Sequence, residues 1–194
     1  MKRTVLYAVT AVTAMTMVFA ACKDKNSNNN SIEVEAKNVI DGNGYIVKVK
    51  AYVLNSDEYL LTSTDYVNNG FKMTLPEVPS ECLISATLMF PKILVRDKNA
   101  KVLDVDFFAY DNEDWNVGDF YLEDPITDYE ACYYYADRNF TVKGNAKGRK
   151  YDCTFKKGWN IVYERDVIST TKKPSGANFV WVYCGKFFRN NIIL

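Results

Sequence analysis

The side chains in this chain best suited to chemistry are acids. Between Asp104 and Glu130 there are ten carboxylates and no basic residue. Calcium takes about six to eight oxygen ligands, and carboxylates clustered on a loop supply them. Asp111, Glu113, Asp114 and Asp119, with Asn112 and Asn116 among them, form the candidate calcium set. Their spacing is not that of an EF-hand. Counting Asp111 as the first place, the sixth is Asn116 rather than glycine and the twelfth is Leu122 rather than an acid. Acids of this stretch could also pair across a cleft, as glycoside hydrolysis requires at about 5–10 Å. So many acids select no particular pair, and a solvated loop face accounts for them equally well.

Histidine is absent. This excludes serine–histidine and cysteine–histidine nucleophiles and histidine-ligated zinc or haem. Carboxylate, tyrosine and lysine chemistry stays open. Cys82, Cys132, Cys153 and Cys184 are separated by 50, 21 and 31 residues, which excludes close-spaced CxxC metal or redox motifs. They read either as disulfide partners, with the pairing open, or as buried thiols acting as small core residues. No cofactor is expected.

Cys22 has a chemistry of its own. Lys2-Arg3 opens the chain, an apolar run covers residues 5–18, and Phe19-Ala20-Ala21 precedes the cysteine. A basic start, a short apolar stretch and small residues before a cut make a secretory signal. The stretch from Thr4 to Ala21 carries Thr4, Thr10, Thr13 and Thr16 and is short of the roughly 20 apolar residues of a spanning helix. The small pair and Cys22 resemble a bacterial lipobox, although Phe19 stands where leucine, valine or isoleucine is usual. The resemblance implies cleavage before Cys22, acylation of that residue and outer-membrane anchoring. An ordinary signal cut after Ala21 would instead leave a free thiol. Residues 23–31 contain no apolar side chain and are expected to be a disordered tether. The expected organisation is a signal over residues 1–21, a lipidated cysteine and tether over 22–31, and one β-rich domain over 32–194. A sub-boundary near residues 91–99 would divide that domain into two small packed units.

Without residues 1–21 the chain has 173 residues, enough for one well-cored domain. It then holds 22 basic against 24 acidic side chains, which gives no reason to expect a nucleic-acid partner. The near balance hides a polarised chain, because residues 138–173 are predominantly basic.

Period-two alternation dominates, which predicts strands. Ile32, Val34 and Ala36 alternate with charged residues, as do Val47, Val49, Ala51 and Val53 with Lys48 and Lys50. Asp41-Gly42-Asn43-Gly44 between them predicts a hairpin. Phe71, Met73 and Leu75 share a strand face that Pro76 ends. Further strands are expected at residues 59–61, 82–90, 101–110, 120–122, 132–136, 140–142, 151–155, 159–163 and 179–184. Residues 111–128 are expected to be mostly loop. About ten or eleven short strands, rich in tyrosine and phenylalanine, predict an all-β sandwich of immunoglobulin-like or transthyretin-like type.

Two stretches carry resemblances. From Ile46 to Pro76, strand, connection, strand, Asn69-Gly70 and Phe71-Lys72-Met73-Thr74-Leu75-Pro76 resemble transthyretin-like or carboxypeptidase-regulatory β-sandwiches. Tyr135-Ala136-Asp137, Phe140-Thr141-Val142-Lys143-Gly144 and Lys157-Gly158-Trp159-Asn160 resemble small outer-membrane or surface lipoproteins of gut and oral anaerobic Gram-negative bacteria. This second resemblance brings no catalytic residues with it. Trp159, with Ile161 and Tyr163 on its face, is expected to anchor a core. Tyr133, Tyr134 and Tyr135 suit either a core or an exposed aromatic platform.

These expectations point to a lipid-anchored envelope domain that is not an enzyme and that binds or scaffolds a protein or glycan. A structural subunit of a surface fibre, which would pair through an edge strand, is the alternative. A small carboxylate-dependent hydrolase is a third.

Overall fold

The structure is a computed structural model that describes residues 30–54 and 58–185. The signal segment, Cys22 and the tether up to Asn29 lie outside the described residues. The fold is all-β and sandwich-like. Strands β1 (Ile32–Ala36) and β4 (Phe71–Leu75) form a separate antiparallel pair, with Val34 opposite Met73. The second layer begins with β2 (Lys48–Leu54) and β3 (Glu58–Asp65), then β7 (Lys101–Tyr110) and β8 (Asn116–Asp124). Beyond these lie β9 (Tyr129–Ala136), β12 (Gly158–Arg165), β13 (Ile168–Thr170), β11 (Arg149–Phe155), β10 (Phe140–Ala146) and the short β6 (Leu94–Val95). They run side by side as β3-β2-β7-β8-β9-β12-β13-β11-β10-β6; β14 (Val180–Gly185) pairs with β8 and β5 (Ile84–Ser85) with β7.

The first core lies between the two layers. Val34, Phe71, Met73 and Leu75 face Val49, Ala51, Leu103, Phe107 and Phe120 across it. Trp181 of β14 fills the middle, edge-on to Phe71 and Phe107 at 5.1 and 5.2 Å between ring centres. Alternation was therefore a sound guide for β1, β2 and β4. The predicted hairpin is not formed. β1 pairs with β4, whereas β2 pairs with β3 and β7. The glycine-rich segment carries the chain across the sandwich, turned by left-handed backbone at Asn38 and Asp41. Both strands still bury one face because they line the same core from opposite layers. The crossing is tight at Gly70, where an added Cβ would lie 2.3 Å from the Ala36 carbonyl oxygen.

The second core lies on the other face of β9. Val102, Tyr134, Ala136, Val142, Phe155 and Val162 converge there, with Phe140 stacked on Phe155 at 4.5 Å. Six strands direct one face to a single cluster, so this part of the sheet is strongly curled. β9 serves both cores, which is why Tyr133, Tyr134 and Tyr135 are all buried. They form no exposed platform. Trp159 is also core, and its indole Nε1 donates to the Pro76 carbonyl at 3.1 Å.

Two further expectations change. Residues 82–90 are not one strand: a 3₁₀ turn (Ser80–Cys82) and β5 lead into a single helical turn, α1 (Ala86–Met89). Cys82 and Leu83 are buried in the first core, and Ala86 and Phe90, four residues apart across the helical turn, in the second. Half of residues 111–128 form strand β8, with a tight loop on either side. β7, which follows residues 91–99, pairs with β2 and contributes to both cores.

Candidate functional site

The acids meet at a three-way junction in the sheet. The far half of β7 pairs with β8, Phe107 opposite Phe120, and its near half pairs with β9, Val105 opposite Tyr133. Between these ladders residues 121–124 and 129–132 leave β7, and their outer ends pair as a side arm, Glu123 opposite Glu130 and Asp124 opposite Tyr129. A cavity of about 50 Å³ remains where the strands part, lined in part by Asp104, Asp106, Glu130 and Cys132. Glu130 faces Glu123 on one side and Glu164 on the other. Like charges directly opposite in a sheet are destabilising. Arg149 of β11 partly offsets them, 2.8 Å from Glu164. The Tyr134 hydroxyl donates to Glu164 from the core side at 3.5 Å.

Burial holds the Asp104 carboxyl above the usual range. Desolvation, then the carboxylates of Glu164, Asp106 and Glu123, push Glu130 up as well. Burial raises the Cys132 thiol, which makes it a poor nucleophile. This junction is too small to hold a sugar ring, since ligand sites usually offer about 300–1,000 Å³.

The candidate calcium ligands do not converge. Asp111 accepts from the backbone N–H groups of Glu113 and Trp115 at 3.0 and 2.9 Å, closing its own turn. Asp114 pairs with Lys50 at 2.7 Å. Asp119 lies on β8 and accepts from the Tyr121 hydroxyl at 2.9 Å, and Glu113 faces water. Among the described residues, no three or more acids or cysteines are arranged to hold a metal. Cys82 lies in the first core and Cys153 in the second; Cys132 and Cys184 are half-buried, and Cys132, Cys153 and Cys184 are free thiols.

The distinctive Lys-Gly-Trp-Asn run builds a corner. The Asn160 side chain accepts from the Lys156 N–H at 2.9 Å and donates to the Lys156 and Gly158 carbonyls. Asn139 accepts from the Lys157 N–H at 2.8 Å. Beside this corner lies an open groove of about 280 Å³, lined by Arg96, Asp97, Asn139 and Thr141 over the rims of Phe140 and Phe155. The Thr141 hydroxyl is buried and lacks a hydrogen-bond partner.

A group of exposed apolar side chains lies elsewhere, at one end of the sandwich, while other exposed ones, Ile126, Leu88 and Leu94, sit on other turns and strands. Three loops meet there: residues 37–47, 66–70 and 111–115. Asn69 bonds both ways with Val39, and the Tyr66 N–H donates to Val47. Val47 donates to the Tyr110 carbonyl at 2.9 Å, joining the third loop. From them project Tyr45, Trp115 and Val67, exposed by 79, 68 and 60%. Ile40 and Val47 are exposed in the same loops. The backbone is left-handed at Asn38, Asp41, Asn68, Asn69 and Asp114, residue types that accept it readily, so these loops have defined shapes. Reasoning from sequence missed this cluster. Its only trace was an apolar residue beside each of three turn signals.

No family model, curated protein or solved structure matches the chain.

Proposed function

We propose that this is a lipid-anchored, non-enzymatic domain of the bacterial envelope that holds a protein or glycan partner at the loop end of its sandwich. The observation carrying this reading is the gathering of Tyr45, Val67 and Trp115 on three loops tied by backbone hydrogen bonds. Water disfavours exposed apolar groups, and clustered ones on a rigid scaffold are the usual basis of a contact surface. Aromatic rings suit such surfaces because they bury much area for little lost freedom. The absence of histidine and the small, crowded acid junction support a binding role over a hydrolytic one. The lipobox-like Cys22 supports attachment through acyl chains and an outer-membrane location.

The test is site-specific photo-crosslinking on cells expressing the full chain, with the photo-reactive residue at position 115, 45 or 167. Val167 is exposed as well, but on the β12–β13 turn. Adducts formed from positions 115 and 45 and not from 167, together with glycan-array binding abolished by Trp115→Ser or a single crosslinked protein lost in that variant, support the reading. Equal adducts from all three positions count against it.

A further inference from the structure

The chain enters the domain at one rim of the sandwich, and that rim is basic. The Asn30 side chain donates to Glu77 at 2.8 Å, and Glu77 also accepts from the Tyr135 hydroxyl. Neighbouring strand ends continue this rim. Lys101 bonds Asp137 through its N–H at 2.8 Å, Arg138 pairs with Asp137 at 3.0 Å and reaches Asp97 at 3.9 Å, and Lys157 bonds Asn139. Six basic residues lie along it: Arg96, Lys98, Lys101, Arg138, Lys156 and Lys157, all exposed. The acids here are Glu77, Glu81, Asp97 and Asp137. All four are engaged, Glu77 by Asn30 and Tyr135, Glu81 by the Ser80 hydroxyl, Asp97 and Asp137 by Arg138 and backbone N–H groups. Arg96 forms no ion pair among the described residues, and it lines the open groove with Asn139 and Thr141. The loop end has the opposite balance, with Asp41, Asp65, Asp111, Glu113 and Asp114 against Lys37, Lys48 and Lys50.

We infer that this rim rests on anionic lipid headgroups, with the groove at Arg96 seating a headgroup phosphate, so that the loop end points away from the bilayer. The inference rests on the proposed anchoring through Cys22. The eight residues 22–29 reach at most about 28 Å, so the rim is the part of the domain held nearest the surface. Lysine and arginine gain about fivefold in binding apiece close to an anionic leaflet, and the attraction fades within a Debye length of about 8–10 Å. The acidic loop end is repelled by the same field, so the two ends turn the domain the same way.

The experiment uses the lipidated chain on vesicles of phosphatidylcholine, with or without phosphatidylglycerol. A fluorescent amino acid replaces Ser80 at the rim or Tyr45 at the loop end, and a headgroup-attached quencher reads its height. With phosphatidylglycerol at low salt, quenching at position 80 should exceed that at position 45 by about twofold or more. The excess should vanish in high salt, on neutral vesicles and in the Arg96→Glu, Lys156→Glu, Lys157→Glu variant, whose circular dichroism should match the parent. Flotation with neutral vesicles reports the anchor separately. A chain that floats but shows no dependence on phosphatidylglycerol or on the triple variant overturns the basic rim while leaving the anchor standing, as it would if the rim met a protein. A chain that does not float refutes the anchor. The rim is then judged by flotation with anionic vesicles alone: binding lost in the triple variant supports it, and no binding overturns it. Inorganic phosphate should compete no better than chloride at equal ionic strength; specific release by phosphate would mark a free-anion site instead.

Discussion

Trp181 sits in the first core, enclosed by Phe71, Phe107 and Tyr133, with its indole N–H bonded to the Glu35 carbonyl at 3.2 Å. Trp115, on the loop after β7, is two-thirds exposed. The acid junction between these regions inverts the pattern, crowding charges where the sheet divides. Folding accounts for Trp181, and the parting of β8 and β9 from β7 within one sheet accounts for much of the junction. Nothing in folding requires Trp115, Tyr45 and Val67 to share one end. An arrangement that stability does not ask for is where a binding function is most economically sought.

Four substitutions test that contrast. Trp181→Ala should cost about 4 kcal/mol in chemical denaturation, as large-to-small changes in packed cores do. A loss below about 1 kcal/mol would mean that the first core does not depend on β14. Arg149→Ala leaves Glu164 beside Glu130 without its cation, and should cost about 1–2 kcal/mol because the pair is partly exposed. If Arg149→Ala unfolds at the parent's urea midpoint, the acids of the junction are not held by that pair.

Glu130→Gln should act in the opposite direction and more weakly. The Glu130 carboxyl is raised in the fold, so its contribution to stability is complete below the ordinary carboxyl range and is lost as pH rises through the elevated value. The variant should therefore melt about 1 °C above the parent at neutral pH, a small gain because Glu130 still reaches solvent. That gain should disappear as pH is lowered to about 4. A variant that melts lower at neutral pH would show the glutamate row to be favourable. Smallest of all, Trp115→Ser should change stability by no more than about 0.5 kcal/mol while removing the crosslinked partner. A large loss of stability there would make Trp115 structural and dissolve the contrast with Trp181.

Much of the architecture was legible where a strand buries one face only. Val34 and Ala36, Phe71 to Leu75, and the Asp104 and Asp106 alternation in β7 all read correctly. The reading failed where that condition fails. β9 buries both faces, so Tyr133 to Tyr135 gave no choice between core and platform. The glycine-rich loop carried a hairpin signal, but local turn chemistry does not say which strand comes next in the sheet. Leu83, Ala86 and Phe90 lay in an apolar run too short to tell strand from helical turn. The acids were conspicuous in sequence, but Glu123 fell in a stretch expected to be loop, and only strand register brings Glu123, Glu130 and Glu164 into one row. The loop end was invisible for a related reason, because Tyr45, Val67 and Trp115 are far apart in the chain and only the closed sandwich collects them.

The position of β14 has a consequence for the order of folding. The first core is built largely from residues 34–120, yet its central ring belongs to residue 181. Pairings between such distant segments form late, because a long loop must close before any contact rewards it. A chain appearing from its amino end therefore has no finished half to rest in, and remains open until its last strand arrives. A polypeptide threading a narrow translocation channel must stay open in the same way.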